Sequence, residues 1–188
     1  MRIITGTARG IYLDTLDGLS TRPTGEKVKE AVFSMIQFEI EGKRVLDIFS
    51  GSGQMALEAL SRGASEAVMV DSSKDAAAII RKNIVKTKFL KQSRVIVEDY
   101  KAAIKRLAGE KFDIVFCDAP YAAKLTADAV SKALATGIIS DGAVIVCESD
   151  EKEPFEHPML KLRKHNRYGR SFISVYDKIP NEDEEEIL

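Results

Sequence analysis

The chain has 188 residues, of which 45% are hydrophobic and 30% charged, with a formal net charge of −1. This suffices for one full α/β domain plus a modest extension, and no apolar run approaches the roughly 18 residues of a membrane span. Met1-Arg2-Ile3-Ile4-Thr5-Gly6 lacks the apolar stretch of a signal peptide, so a cytoplasmic location is expected; two cysteines and two isolated histidines suggest neither a disulfide framework nor a metal site.

The charge is uneven. Residues 181–188 carry five acids and no base and read as a disordered tail, which leaves 28 basic against 24 acidic residues in the body. Basic side chains gather in Lys82, Lys86, Lys88, Lys91 and Arg94, and again in Lys161, Arg163, Lys164, Arg167 and Arg170. A mildly basic body is compatible with a polyanionic partner, although solvated surfaces account for either cluster equally well.

In chain order, two short apolar runs around Ala8-Arg9-Gly10 predict a β-hairpin over Arg2 to Asp14. A polar loop follows, Asp17 to Thr24. Val28, Ala31, Val32, Met35 and Ile36 then fall at helical spacing, and the helix N-terminus near Thr24, Gly25 and Glu26 is a natural anion site. From Lys43 onward, predicted strands (44–48, 67–71, 94–98, 113–118, 143–148) alternate with predicted helices (54–62, 74–88, 100–108, 123–135). Such alternation implies a parallel sheet covered on both faces. Segments 161–168 and 171–179 flank Gly169-Arg170 and predict an antiparallel hairpin closing that sheet. The organisation expected is a hairpin-and-loop appendage over 1–24, a catalytic domain over 25–180 and the tail.

Ligands of open α/β sheets bind beyond the carboxyl ends of the strands. Asp47, Gly51 and Gly53 lie there, Asp71 is expected to end the second strand, and Asp99 the third. Glycines permit a turn that a side chain would obstruct. Asp71 suits ribose hydroxyls, and Asp99 an adenine amine. Gly51-Ser52-Gly53-Gln54-Met55-Ala56 also fits the dinucleotide fingerprint. Asp47, however, would repel a pyrophosphate while suiting a cationic ligand, and S-adenosylmethionine carries a sulfonium, an ammonium and an adenosine. The later Asp118-Ala119-Pro120-Tyr121 places a carboxylate, a turn and an aromatic after an apolar strand. Acceptors beside a stacking ring suit a planar exocyclic amine; the plain alternative for Tyr121 is packing at the core edge.

Together these segments resemble a class I methyltransferase, and more narrowly the RsmD family of bacterial 16S ribosomal RNA guanine-N2 methyltransferases. The resemblance covers nearly the whole chain. It is carried by Arg2-Ile3-Ile4-Thr5-Gly6, by Arg22-Pro23-Thr24 leading into Val28-Lys29-Glu30-Ala31-Val32-Phe33, and by Leu46-Asp47-Ile48-Phe49-Ser50-Gly51-Ser52-Gly53. Leu57-Glu58-Ala59-Leu60-Ser61-Arg62-Gly63-Ala64, Phe112-Asp113-Ile114-Val115-Phe116 and Tyr168-Gly169-Arg170 continue it. The resemblance implies a Rossmann-like, mostly parallel seven-stranded sheet with a reversed last strand, S-adenosylmethionine as methyl donor, and 16S rRNA, within an assembling small subunit, as partner. It implies that Asp47, Gly51 and Gly53 frame the cofactor, with Asp71 at the ribose and Asp99 at the adenine. Asp118, Pro120 and Tyr121 would face the target base. Arg9, Arg22 and Lys27 lie in or just after the N-terminal appendage, where contacts to RNA phosphates would be useful; Arg22 or Thr24 could instead meet the methionine carboxylate, and surface solvation accounts for each residue equally well. Two positions depart from the family pattern. Ala119 replaces the first proline of Asp-Pro-Pro-Tyr/Phe, and Gln54-Met55-Ala56 replaces smaller apolar residues. The same chemistry is open to another amine methyltransferase, such as one for adenine N6, and to a weakly catalytic RNA-binding assembly protein.

Overall fold

The computed structural model describes residues 1–16, 23–119 and 123–180. Arg22, Pro120, Tyr121 and the acidic tail therefore lie outside the described residues, as does most of the 17–24 loop. The order of elements is α1 (Pro23–Met35), β1 (Arg44–Ile48), α2 (Gln54–Ser61), β2 (Glu66–Val70), α3 (Lys74–Thr87), β3 (Ser93–Ile96), α4 (Tyr100–Arg106), β4 (Phe112–Asp118), α5 (Ala123–Ala135), β5 (Ile139–Ser149), β6 (Leu160–Tyr168) and β7 (Ser171–Lys178).

The strands form one sheet in the order β3-β2-β1-β4-β5-β7-β6. All neighbours are parallel except β7, which runs antiparallel to both β5 and β6. This is the reversed strand expected from the sequence. The chain winds outward from β1 through β3 and then returns to place β4 on the other side of β1. The carboxyl ends of β1 and β4 therefore flank the topological switch, where open α/β sheets leave a crevice.

Alternation along the strands sends residues to two cores. Val45, Ile114, Phe116, Val146 and Ile173 pack under α1, α2, α3 and the N-terminal segment. Leu46, Val115, Cys117, Ile145 and Cys147 pack under α4 and α5. Both cysteines are free and buried.

Local signals set the helix ends. The Ser73 side chain accepts from the Ala76 backbone N–H at 3.2 Å to cap α3, and Lys88 ends it at φ 63°. Two strand boundaries correct the sequence reading. β2 stops at Val70, so Asp71 lies just beyond it. β3 stops at Ile96 because its one partner, β2, ends at the Val70–Ile96 pair. Asp99 does not end a strand: it is the exposed N-cap of α4, accepting from the Lys101 N–H at 2.9 Å.

The N-terminal hairpin is reduced to a single antiparallel bridge, Arg2 to Tyr12, with Ile3 N–H donating to the Ile11 carbonyl at 2.9 Å. Its side chains explain why no further ladder forms. Ile3, Ala8 and Leu13 turn inward and join the core beneath α1 and α2. Beyond a few backbone bonds across the hairpin, helix side chains satisfy part of its backbone. Glu58, 0% exposed, accepts from Ile4 N–H at 2.8 Å and Thr5 N–H at 3.1 Å, and Asn83 bonds both Asp14 N–H and Asp14 carbonyl. Gly6 is forced by this contact, since a Cβ there would lie 1.7 Å from the Ser61 carbonyl oxygen at a φ of +88°.

A buried ionic cluster completes the clamp. Glu58 also accepts from Arg62 at 2.8 Å and faces the Lys29 ammonium at 3.5 Å, while Lys29, 1% exposed, donates to the Arg2 carbonyl. Burial pulls the Lys29 pKa down and Glu58 opposes it. Glu58→Ala would strand this ammonium and two backbone donors. We expect a loss of about 3–5 kcal/mol in chemical denaturation, the usual cost of breaking one side of a buried pair; a loss no larger than that of a surface substitution would refute the clamp.

Candidate active site

A cavity of about 700 Å³ opens where the switch point predicts one. That volume is within the ordinary range for small-molecule sites, roughly 300–1,000 Å³. Its floor is the carboxyl end of β1, β4 and β5. One wall is the Gly25, Val28, Lys29 and Val32 stripe of α1, and the other is the β6–β7 tip from Tyr168 to Ser171.

Three acids enter it from the same side of the sheet. Asp47, on β1, is 3% exposed, and its Oδ2 is buried with no hydrogen-bond partner. Burial pushes its pKa up to about 8, with the Asp118 and Asp71 charges adding to the rise; the Ala56 backbone and Ser50 oppose it. Asp118 ends β4, and Glu148 is its direct register partner on β5. Asp118 is solvent-exposed as a residue, although the protein around its carboxyl displaces part of its hydration. That desolvation, then the Glu148 charge, raises its pKa well above the carboxylate range.

The turn from β1 to α2 is held open by unusual torsions. Phe49, Gly51 and Gly53 all have positive φ, at 67°, 58° and 78°. For Phe49 this is a strained state, of the kind concentrated at functional turns. Its ring packs on Tyr100 at 5.3 Å between centroids and also lines the cavity. A Cβ on Gly53 would meet the Met69 sulfur at 3.0 Å, whereas one on Gly51 would meet nothing within 4 Å. Gly53 thus serves packing, and Gly51 borders open space. Asp71 fixes the turn from behind: one carboxylate oxygen accepts from Gly51 N–H and the other from Ser73 N–H, both at 2.9 Å.

Of the residues singled out from sequence, the structure brings Asp47 and Asp118 to one cavity and ties Asp71 to Gly51. Asp99, Arg9 and Lys27 are exposed and do not line that cavity. Several basic side chains of the two clusters are already paired: Arg163 with Glu39 and Asp177, Lys86 with Asp14, and Arg94 with Glu110. Sequence reasoning missed Glu148, Phe49 and Lys29 as cavity residues. Glu148 was within reach of the carboxyl-end rule that found Asp118. Lys29 carried no such signal, because its burial depends on the N-terminal segment covering α1.

A seven-stranded sheet with a reversed last strand and an acid-lined crevice at the switch point is the arrangement of the class I methyltransferases. The protein family described as Conserved hypothetical protein 95 matches residues 1–177. The Bacillus subtilis (strain 168) protein YlbH, provisionally named an rRNA methyltransferase, is 34% identical over 189 residues, covering 95% of this chain and 99% of its own. The Ribosomal RNA small subunit methyltransferase D of Haemophilus influenzae is 32% identical over 160 residues, covering 84% of this chain and 83% of that protein. The solved structure of yhhF from Escherichia coli superposes with a TM-score of 0.87 at 29% identity, covering 96% of this chain and 99% of that one. The chain belongs to this family, the RsmD-like, S-adenosylmethionine-dependent class I methyltransferases.

Among the described residues no helix is long and apolar enough to cross a membrane.

Proposed function

We propose that this chain methylates the exocyclic N2 amine of a guanine in small-subunit (16S) ribosomal RNA, acting in the cytoplasm on an assembling subunit. The observation carrying the reading is the pairing, in one cavity, of a buried carboxylate at Asp47, one oxygen of which has no partner, with a second carboxylate at the end of β4, Asp118. The RNA class rests on the relatives, since the Haemophilus influenzae protein is a small-subunit rRNA methyltransferase by name.

The residues present fit S-adenosylmethionine. Asp47 offers an acceptor for its ammonium, Gly51 leaves space for its approach, and each Asp71 oxygen keeps a second lone pair for a ribose hydroxyl. Asp99 would meet the adenine amine with the carboxylate oxygen not used in capping α4. When bound, this cofactor supplies a methyl group made electrophilic by its attachment to a sulfonium.

The chain's own part is to present the amine. An aryl amine is a poor nucleophile because its lone pair is delocalised into the ring. Asp118, accepting one amine hydrogen, favours the pyramidal geometry in which that lone pair is available, and a backbone carbonyl at the following turn would accept the other. As positive charge grows on nitrogen, fixed acceptors stabilise it. Asp118 then takes up the proton that the methylated nitrogen releases. Tyr121 and Pro120 are assigned to stack on an extruded base, and Arg9, Arg22 and Lys27 to RNA phosphates.

The test is the modification profile of small-subunit rRNA from a strain lacking this gene. One N2-methylguanosine should be missing, and the purified protein with S-adenosylmethionine should restore it. An unchanged profile would overturn the assignment.

A further inference from the structure

We propose that Glu148 selects the target base, accepting the N1–H of guanine while Asp118 accepts from N2. The inference rests on the guanine-N2 reading above and assigns the choice of base within the same cavity.

Asp118 and Glu148 are register partners on adjacent parallel strands, and both line the cavity. Neighbouring strands lie roughly 5 Å apart, so two side chains leaving the same side can each present an oxygen to adjacent donors on one ring edge. Without a ligand the arrangement is unfavourable, because it sets two like charges side by side, with Asp118 exposed and Glu148 half-buried. A separate observation points to a guest: Asp47, which lines the same cavity, has a buried oxygen with no partner. Among the described residues, the charge that bears on Asp118 is that of Glu148. A base would bring donors to this pair.

The Watson–Crick edges separate the candidates. Guanine presents N1–H beside N2–H, two adjacent donors. Adenine presents a bare N1 beside its amine, and cytosine a bare N3 beside its amine. Asp118 alone would serve all three amines. A second carboxylate next to it accepts guanine and turns its negative charge on the ring lone pair of the other two. Sites that hydrogen-bond an N–H reject analogues lacking it strongly, by up to about 10⁴–10⁵-fold.

The decisive probe is 2-aminopurine, which keeps the amine on the same carbon and lacks the N1–H. Synthetic RNAs carrying guanine or 2-aminopurine at the mapped target would be compared by kcat/KM, with wild type and Glu148→Gln. Wild type should prefer guanine by at least about 10²-fold. In Glu148→Gln that ratio should collapse towards unity, because the amide can rotate to donate to the bare N1. S-adenosylmethionine affinity should be unchanged, and the melting temperature should not fall, because the variant relieves the repulsion between Asp118 and Glu148. A ratio that Glu148→Gln leaves intact overturns the proposal. Equal rates on both bases with wild type overturn it without recourse to any variant. Failure of wild type to form N2-methylguanosine at all overturns the guanine-N2 reading and this proposal with it, whereas guanine methylation without preference overturns only the role of Glu148.

Discussion

Asp118→Ala should lower the rate of methyl transfer by about 10²–10³-fold, the usual effect of removing one preorganised partner of a transition-state charge. Cofactor affinity should be retained. Stability should not fall, because the Asp118 carboxyl sits beside Glu148, whose charge adds to partial loss of hydration in raising its pKa. Loss of activity without loss of melting temperature separates a chemical role from a structural one. Asp118→Asn is expected to lie between alanine and wild type, since its amide oxygen still accepts the amine hydrogen but cannot take up the proton. The raised pKa gives the pH profile its sign. Asp118 must be ionised to act, so activity falls as pH drops, over a range higher than an ordinary carboxylate would produce; Asp118→Asn should flatten that limb. Single-turnover rates at saturating cofactor measure all of this, and an alanine variant as fast as wild type would remove Asp118 from the chemistry.

Asp47→Asn should abolish measurable S-adenosylmethionine binding while stabilising the free protein near pH 8. The Asp47 pKa is raised from 3.8 to about 8, chiefly by burial. A raised carboxyl pKa means that the folded state holds a proton which the unfolded state has released. The stabilising contribution is full below about pH 4 and is lost as pH rises through about 8. The wild-type melting temperature should therefore decline over that interval more steeply than that of Asp47→Asn. Each kcal/mol of difference corresponds to roughly 2–4 °C in a chain of this size. A cationic ligand reverses the balance by favouring the ionised carboxylate. Binding near neutral pH should therefore release a proton, seen in calorimetry as a heat that depends on the ionisation enthalpy of the buffer. Cofactor affinity unchanged in Asp47→Asn, or no proton release, would contradict the assignment.

The alternation of apolar strands with amphipathic helices was legible residue by residue, and Val28, Val32 and Ile36 lie inside the core as their spacing predicts. The hairpin around Gly169-Arg170 was also legible, but its place was not. Nothing local tells β7 to insert between β5 and β6, because that choice is made by the free edge of β5. At the site, Asp47 and Asp118 could be read because each sits in a motif at a strand's carboxyl end. Lys29 and Glu58 look like ordinary helix-surface charges in sequence. Their burial comes from a segment more than twenty residues away in sequence, whose backbone they satisfy. Asp99 was misread for a related reason: an acid after an apolar run ends a strand only if a neighbouring strand extends as far.

The insertion of β7 between β5 and β6 also bears on how the chain is made. β6 is synthesised before β7 but, among the described residues, pairs in the sheet with β7 alone. It cannot dock until the later strand has emerged, and the edge of β5 stays bare until then. The tip joining the two strands forms a wall of the cavity. A nascent chain still short of Ser171 can thus assemble the parallel part of the sheet yet lack a closed site, so competence arrives in one late step, when the final hairpin zips onto β5.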